Sequence, residues 1–393
     1  MSMRIAISGA GVAGPSLAHW LLRAGHVPTL VERAPAFRTG GYVIDFWGVG
    51  YEVARRMGIE RAVLDAGYRI EAMQSVGMHG EVLASADTAG FLELVGGGFT
   101  SLPRGDLARI IYGTVADRVE TIFGDSIASL EQHASGVRVA LERGGERDFD
   151  LVVGADGLHS NVRGLAFGDD PCFEKYLGCR VAASVVEGYR PRDELLYVTY
   201  SVPGRQVGRF ALRGDRTMFF FIFRSDDASL PADPAAQKAV LRREFGDAGW
   251  ECPRILDAVD ASEDLYFDVV SQVRLPRWSA GRVALVGDAA ACVSLLAGEG
   301  TGLAMTEAYV LAGELARAGG DHRLAFERYE ARLRSFIAAK QDAATRFIGF
   351  FATRTRFGLW LRNQALKAVG LGPLFRRLAA RGIRDAFELP DYG

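Results

Sequence analysis

The residues with the clearest capacity for chemistry form a glycine-rich turn near the start of the 393-residue chain. The turn reads GAGVAG and joins a short apolar run to a helical pattern, and a second apolar run then ends at Glu32. The sequence therefore has the order strand, turn, helix, strand that a G-x-G-x-x-G motif requires. In this unit Gly9 allows a tight turn, Gly11 lets the backbone approach a pyrophosphate, and Gly14 permits close packing of helix on strand. The pattern predicts a bound dinucleotide, because exposed N–H groups at a helix start favour phosphate.

Glu32 narrows the choice of dinucleotide without settling it. A carboxylate at the end of the second strand accepts hydrogen bonds from ribose hydroxyls and opposes a 2′-phosphate. The position therefore disfavours NADP, and it leaves NAD and FAD equally compatible.

Two later motifs extend the predicted site. The stretches DLVVGADGLHSNVR and GRVALVGDAA place Asp156 and Asp288 directly after apolar strands, where open α/β sheets bind ligands. A second glycine-rich turn then leads into an apolar helix whose N-terminus can face an anion. Its glycines are Gly298, Gly300 and Gly302. An NAD dehydrogenase would not need these distant motifs. FAD is a longer cofactor, and a protein that binds it needs contacts along that greater length.

Together these motifs resemble those of the FAD-dependent monooxygenases of the para-hydroxybenzoate hydroxylase fold, the group A flavoprotein monooxygenases. The resemblance is carried by GAGVAG with Glu32, by GADGLHSNVR, by GDAA followed by GEGTG, and by SLPRGDLARII. In the last motif Arg104 stands where the family has an FAD-contacting arginine. The resemblance covers roughly residues 3–170 and 270–320, and it identifies the cofactor as FAD.

The stretch ERAPAFRTGGYVID resembles more particularly the tetracycline-inactivating monooxygenases and the aromatic polyketide hydroxylases. Their GG-x-x-x-D step implies that Asp45 lies near the flavin. An arginine associated there with NAD(P)H matches Arg38. Departures from the family occur after GDAA, where Ala291, Ser294 and Leu295 replace a common histidine and prolines, and Glu299 replaces a common glutamine.

The resemblance implies a non-covalently bound FAD that carries the chemistry itself, with no metal and with no side chain certain to be catalytic. Asp288 would fix the ribityl chain and Arg104 the flavin-proximal end. The helix start near Gly300 would stabilise negative charge on the pyrimidine edge of the reduced flavin. The predicted cofactor contacts are Gly9, Gly11, Val12, Ala13, Gly14, Glu32, Arg33, Asp45, Arg104, Asp288, Gly298, Gly300, Thr301 and Gly302, with Arg38 as the candidate NAD(P)H contact.

Members of the family reduce FAD with NAD(P)H and use O₂ to transfer an oxygen atom through a flavin C4a-hydroperoxide. The resemblance implies a cytoplasmic NAD(P)H-consuming monooxygenase of antibiotic or secondary metabolism, monomeric or homodimeric, that hydroxylates an aromatic or polyketide-like small molecule. One alternative is an FAD-dependent oxidoreductase that inserts no oxygen. Another is a flavin- or ligand-binding protein without turnover, which the departures at Ala291 and Ser294 keep open.

Four polar residues of the GADGLHSNVR stretch have structural alternatives to a catalytic or binding role. His159 lies away from the expected substrate pocket, which favours a non-catalytic role. Asp156 either contacts the cofactor or NAD(P)H, or forms a tight turn with its glycine. Ser160 and Arg163 are better explained as contacts that stabilise the domain.

The composition limits the class of protein. A formal net charge of −2 creates no field that would attract nucleic acid, and no run of 18 apolar residues predicts a membrane span. We therefore expect neither a nucleic-acid partner nor membrane association. No Cys-x-x-Cys pair is present, which predicts buried or partly buried free thiols rather than zinc. The cysteines are Cys172, Cys179, Cys252 and Cys292.

The elements that position these residues predict an α/β fold. A Rossmann-like FAD-binding domain carries an inserted β-sheet-rich substrate domain and a helical C-terminal region. The predicted boundaries are 1–75, 101–172 and 272–324 for the FAD-binding domain, 76–100 and 173–271 for the substrate-binding domain, and 325–393 for the C-terminal helices.

Two features of these regions have alternative interpretations. The phenylalanines of the middle region could line a substrate pocket, although a plain core is favoured. They are Phe210, Phe219, Phe221 and Phe223. The arginine-rich C-terminal helices could lie on a membrane surface, although packing across the two domains is favoured.

Overall fold

The computed structural model describes residues 2–37, 41–88, 98–168, 171–369 and 387–393. Arg38, the candidate NAD(P)H contact, lies outside these ranges. So do residues 89–97 of the predicted substrate-binding region and 370–386 of the predicted C-terminal helices. The described residues form two large sheets, one six-stranded and one seven-stranded, with helices packed against them. The predicted α/β fold class is confirmed.

The six-stranded sheet consists of β1 (Arg4–Ser8), β2 (Val27–Glu32), β7 (Glu120–Phe123), β11 (Leu151–Gly154), β17 (Ser279–Ala280) and β18 (Val283–Leu285). Its order is β17-β18-β11-β1-β2-β7, and all neighbours except β17 and β18 are parallel. β11 is apolar and buried throughout, as a strand covered on both faces has to be. Because parallel strands end at one edge of a sheet, the turns that follow β1, β2, β11 and β18 meet there.

The seven-stranded sheet consists of β4 (Ala72–Val76), β5 (Val82–Asp87), β12 (Glu174–Glu187), β13 (Leu196–Val202), β14 (Arg205–Leu212), β15 (Arg216–Arg224) and β16 (Leu265–Val273). Its order is β16-β12-β15-β14-β13-β4-β5, and only the pair of β4 and β13 is parallel. The four phenylalanines of this sheet singled out above are at most 1% exposed. They are core residues, as the favoured interpretation had it.

Two smaller sheets complete the strands that the structure describes. β3 (Val43–Trp47) pairs antiparallel with β6 (Phe99–Pro103), and β8 (Ile127–His133), β9 (Gly136–Leu141) and β10 (Gly145–Phe149) form a meander. The pairing of β3 with β6 places Asp45 directly opposite Ser101.

The described helices are α1 (Ala13–Arg23), α2 (Gly48–Arg56), α3 (Glu60–Ala66), α4 (Arg104–Gly113), α5 (Asn161–Phe167), α6 (Pro234–Phe245), α7 (Cys252–Ala261), α8 (Asp288–Ala291), α9 (Gly300–Arg317), α10 (His322–Phe351) and α11 (Arg356–Val369). Local sequence explains several of their starts. Asp233 caps α6 by accepting from the Ala236 N–H at 2.8 Å, and Asp321 caps α10 in the same way. None of the described helices is both long and apolar enough to cross a membrane.

Helix α9 lies at the centre of the helices that pack around the six-stranded sheet. Every residue from Leu303 to Leu315 is buried, against α1, α2 and α10. The backbones of α2 and α9 touch, because a Cβ added to Gly50 would lie 2.2 Å from the Gly302 Cα. Near the end of the chain Tyr392 donates a hydrogen bond to Glu314 of α9 at 2.7 Å.

The cysteines depart in one respect from the sequence-based expectation. Cys179, Cys252 and Cys292 are buried, as predicted, whereas Cys172 is exposed. Cys172 lies in the short turn that precedes β12, where the chain runs along the surface.

Candidate active site

The turn after β1 contains two glycines that the protein's own packing requires. Gly9 has a φ of +104°, and a Cβ there would lie 2.5 Å from the Ala155 carbonyl oxygen. A Cβ on Gly14 would lie 1.9 Å from the Gly9 carbonyl oxygen. Neither distance is sterically possible, so these positions hold α1 against the ends of β1 and β11.

Gly11 differs from both, because open space lies in front of it. A Cβ there would meet only the Arg104 guanidinium, at 3.8 Å. Helix α1 begins directly afterwards with no side-chain cap at Val12, and its first N–H groups, that of Ala13 included, have no partner within the helix. A cationic side chain therefore faces uncapped amides across a space that Gly11 keeps free. This arrangement suits a pyrophosphate.

Glu32 stands at the end of β2, beside the same turn. One carboxylate oxygen accepts from the Ala10 N–H and the other from the Ala34 N–H, both at 2.8 Å. A carboxylate has about four acceptor sites, so further sites remain for the hydroxyls of a ribose. Arg33, the next residue, is exposed.

Arg104 and Asp288 bring two of the distant motifs together. Arg104 opens α4 and donates its backbone N–H to the Tyr42 carbonyl at 2.9 Å. Asp288 opens α8, where burial raises the pKa of its carboxyl and the nearby Arg104 charge acts in the opposite direction. A Cβ on Gly300 would lie 3.6 Å from an Asp288 carboxylate oxygen. The GDAA and GEGTG motifs therefore share one wall of the site with Arg104.

The start of α9 borders a pocket. Gly298 adopts the left-handed conformation with φ +70°, and no side chain caps the helix. The first helical N–H bonded to a preceding carbonyl is that of Leu303, which donates to Glu299 at 3.0 Å. By helix geometry the N–H groups of Gly300, Thr301 and Gly302 have no intrahelical acceptor. The pocket beside them is lined by Asp45, Phe46, Trp47, Val49, Gly50, Gly298, Glu299, Gly302 and Leu303.

The pocket has two carboxyl groups, those of Asp45 and Glu299, and Glu299 is paired with the Lys340 ammonium at 2.8 Å. The Asp45 carboxylate accepts from the Ser101 hydroxyl at 2.5 Å. The side chain is accessible through the pocket, yet protein atoms enclose it closely enough for desolvation to raise its pKa. The hydrogen bond from Ser101 acts in the opposite direction. Asp45 also contributes to the raised pKa of Tyr197, after burial.

The sequence did not predict Glu307, whose side chain supports the GDAA turn. Glu307, in α9, is 1% exposed and accepts from the Gly287 N–H at 2.6 Å and from the Tyr329 hydroxyl at 3.1 Å. Burial raises its pKa to about 8, against the effect of these two hydrogen bonds. Its signal in the sequence was a single acid within the otherwise apolar stretch GLAMTEAYVLAG.

The polar residues of the GADGLHSNVR stretch make structural contacts. Asp156 accepts from the Ser8 hydroxyl at 3.2 Å and from the Val162 N–H at 3.1 Å, and it is also bonded to Ser160. Arg163 donates to the carbonyls of Leu158, at 2.7 Å, and Ala289, at 3.3 Å. These bonds tie the ends of β1, β11 and β18 together.

His159 connects the segment that follows β11 to the seven-stranded sheet. Its Nε2 lies 3.0 Å from an Asp268 carboxylate oxygen on β16, and the Tyr266 hydroxyl donates to the other oxygen at 3.0 Å. The hydrogen bond with Asp268 raises the pKa of His159, and partial burial opposes the change. His159 is about half exposed, so we assign this contact a structural role between the two sheets.

We expect His159→Gln to lower stability at acidic pH more than at alkaline pH. A histidine with a raised pKa stabilises the fold fully below its unfolded value of 6.5, and the contribution is lost as pH rises through the folded-state value. Because the pair is partly exposed, the effect should be about 1 kcal/mol or less. Urea denaturation of both proteins at pH 5.5 and 8.5 measures it. Equal losses at the two pH values would contradict the ion pair.

The described residues fit FAD. A glycine with open space faces a guanidinium where a pyrophosphate would lie, an acid with free acceptor sites stands beside it, and uncapped amides of α9 border a pocket at the other end. No group of three or more metal-ligating side chains occurs among the described residues. Fold and site together define an FAD-dependent oxidoreductase.

Comparison with known proteins refines this class. A family model described as an FAD binding domain matches residues 2–343. A flavin-dependent monooxygenase of Legionella longbeachae is 36% identical over 377 residues, which cover 93% of this chain and 90% of the relative. An FAD-dependent monooxygenase of Sarocladium schorii is 29% identical over 432 residues, covering 99% and 98%. The crystal structure of tetracycline destructase Tet(51) matches with a TM-score of 0.84 at 30% identity, over 100% of both chains.

The chain therefore belongs to the FAD binding domain family of the para-hydroxybenzoate hydroxylase type, and it is an FAD-dependent monooxygenase. The resemblance expected from GAGVAG, GADGLHSNVR and GDAA is confirmed, and so is FAD as the cofactor.

Proposed function

We propose that this protein consumes NAD(P)H and O₂ to hydroxylate an aromatic or polyketide-like small molecule. The observation that carries the proposal is that Asp288 lies near both Arg104, which faces Gly11, and Gly300 at the start of α9, where the pocket begins. A pyrophosphate held beside Gly11 would place the flavin end of FAD at this pocket, between β3, α2 and the start of α9.

Each residue has a separate task in this proposal. Glu32 binds the adenosine ribose and Asp288 accepts from the ribityl hydroxyls. Arg104, which faces Gly11, neutralises the pyrophosphate, whereas the resemblance implied the flavin-proximal end for it. The uncapped amides at the start of α9 stabilise negative charge on the pyrimidine edge of the flavin. Bound FAD, once reduced, supplies the activation of O₂, and the protein orients the substrate and excludes water.

Aromatic side chains at the meeting of the two large sheets favour an aromatic substrate. The ring of Tyr42 lies 5.5 Å from that of Tyr266 and 5.9 Å from that of Phe220. Tyr42 precedes β3, whereas the other two come from the seven-stranded sheet. The relative Tet(51), named for a polyketide antibiotic that it destroys, supports including tetracyclines among the candidate substrates.

The proposal is tested by measuring NADH and NADPH oxidation under air by the FAD-loaded protein with phenols, naphthoquinones and tetracyclines. A compound that accelerates oxidation and yields a product one oxygen atom heavier, labelled when ¹⁸O₂ is used, supports hydroxylation. A product without added oxygen would indicate the oxidoreductase alternative. Tight binding of a compound without NAD(P)H oxidation would indicate a binding protein instead.

We infer that the Asp45 carboxyl binds and releases a proton in the flavin pocket during turnover, and Asp45→Asn should therefore lower kcat by about tenfold to a hundredfold. An amide oxygen still accepts from Ser101, so the dissociation constant of FAD should change little. The pH profile of kcat should lose the limb that reflects the raised carboxyl pKa. The measurement is kcat against pH with a substrate identified as above.

Ser101→Ala is the matched control for Asp45. The hydrogen bond from Ser101 lowers the pKa of Asp45, so its removal should move the same limb to higher pH without abolishing it. An unchanged profile in both variants would contradict a role for Asp45 in proton holding.

A further inference from the structure

Helix α11 presents its apolar residues to solvent and its polar residues to the protein. Phe357, Trp360 and Leu361 are 70%, 55% and 54% exposed, whereas Arg362 and Asn363 are 7% and 9% exposed. Residues spaced i, i+3 and i+4 lie on one face of a helix, so the three apolar side chains share the outer face. This arrangement is the reverse of an ordinary surface helix.

Specific hydrogen bonds fix the helix in this orientation. Arg362 donates to the Gln206 side chain at 2.9 Å and to the Ser201 hydroxyl at 3.1 Å, both on the seven-stranded sheet. It also donates to the Phe350 carbonyl at 3.3 Å. A rotation that buried the apolar residues would carry Arg362 out to solvent and break its hydrogen bonds to Gln206 and Ser201. The outward apolar face is therefore a property of the folded structure.

The outer face is ordered and has apolar neighbours. The rings of Phe357 and Trp360 are stacked, with centroids 5.8 Å apart and planes at 24°. Strand β5, on which α11 packs, exposes Val82 by 57% and Leu83 by 38%, and because successive strand residues point to opposite faces, at most one of them extends the apolar face. Exposed apolar side chains that share one helix face mark an interaction site.

The charge of the surrounding sequence indicates which partner the face binds. The stretch 343–384 contains no Asp or Glu in a chain whose net charge is −2. Its cations are Arg346, Arg354, Arg356, Arg362, Lys367, Arg376, Arg377, Arg381 and Arg384. Of these, Arg354 lies just before α11 and Arg356 and Lys367 lie within it, and all three are exposed. Exposed aromatic side chains flanked by cations are the features of a helix that lies in the interface of an anionic bilayer.

We propose that the outer face of α11 docks this protein on an anionic lipid surface, with Phe357, Trp360 and Leu361 in the interface and Arg354, Arg356 and Lys367 on the headgroups. The helix lies on the bilayer and does not span it. This proposal revises the expectation of no membrane association, and it is independent of the substrate that the enzyme takes.

The test uses the full FAD-loaded protein and vesicles of phosphatidylcholine with or without phosphatidylglycerol. Sedimentation should show binding to the anionic vesicles at least about tenfold tighter than to the neutral ones, weakened by added salt. Tryptophan emission should shift to the blue on binding, and Trp360→Phe should reduce the shift. Absence of binding to the anionic vesicles would overturn the proposal.

Three variants separate the two parts of the interaction. Replacing Phe357, Trp360 and Leu361 together with glutamine, which preserves helix propensity, should weaken binding at least about tenfold without lowering the melting temperature. R354E with R356E should remove the preference for anionic vesicles. Leu230→Gln is the matched control, because Leu230 is 43% exposed elsewhere and its loss should leave binding unchanged.

Two outcomes would assign the face differently. If the triple glutamine variant bound vesicles as tightly as the wild type, another surface would be responsible and the proposal would fail. If light scattering showed a concentration-dependent dimer that this variant abolished, while no lipid bound, the face would belong to a second copy of the chain.

Discussion

Gly11→Ala should weaken FAD binding by at least about a hundredfold, or about 2.7 kcal/mol, while the folded protein remains intact. A methyl group there meets no protein atom closer than the Arg104 guanidinium at 3.8 Å, and the backbone of Gly11 is not in the left-handed region. It would, however, fill the space that a pyrophosphate needs to approach the turn. Titration of the apoprotein with FAD, followed by flavin fluorescence, gives the dissociation constant.

Gly14→Ala is the matched comparison, and it should destabilise the fold itself. Its Cβ would lie 1.9 Å from the Gly9 carbonyl oxygen, so that α1 would have to move away from β1. We expect a loss of about 3 kcal/mol or more in the free energy of unfolding, even without FAD. Thermal denaturation of the two apoproteins separates the effects. Equal melting temperatures for the two variants, or unchanged FAD affinity in Gly11→Ala, would contradict this assignment.

Glu307→Leu should destabilise the protein by about 1–3 kcal/mol and weaken FAD binding. The substitution leaves the buried Gly287 N–H without its acceptor, whereas the Tyr329 hydroxyl keeps the Leu285 carbonyl at 3.1 Å. It also releases the turn that presents Asp288. Urea denaturation and FAD titration measure the two effects.

Glu307→Gln keeps the acceptor and tests the raised pKa instead. A carboxyl whose pKa rises from 4.5 to about 8 on folding binds more protons in the folded state, so wild-type stability falls as pH rises between these values. The glutamine variant should lose this part of the pH dependence and become the more stable of the two at pH 8.5. If both proteins showed the same dependence between pH 5 and pH 8.5, Glu307 would not be the buried acid that titrates.

The features that can be read from the sequence are those whose requirements are local. Gly9 and Gly14 are imposed by a turn within six residues, and Glu32 and Asp288 follow strands that are apolar in their own sequence. The meeting of these motifs followed from one rule, that parallel strands end at a common edge. For this reason the cofactor and the fold class could be inferred before any coordinates.

The sequence could not supply the contacts that join distant parts of the chain. His159 meets Asp268 only because the seven-stranded sheet packs over the FAD side, and Asp45 meets Ser101 only through the pairing of β3 with β6. The orientation of α11 is a similar case. Its apolar residues predicted a buried face, and hydrogen bonds from Arg362 to the sheet turned that face outward.

The order of strands in the six-stranded sheet has a consequence for biosynthesis. Val152 of β11 pairs on one side with Ala6 and on the other with Val283. The strands beside the FAD site therefore come from positions far apart in the sequence. Translation proceeds at about 5–20 residues per second, and β11 cannot pair with β18 until the whole seven-stranded sheet has been synthesised. Such non-local pairing is slow to form and leaves an open, apolar strand edge in the meantime. Because Asp288 follows β18, the FAD site is complete only late in synthesis, and the β11 edge is open to mispairing until β18 has been made.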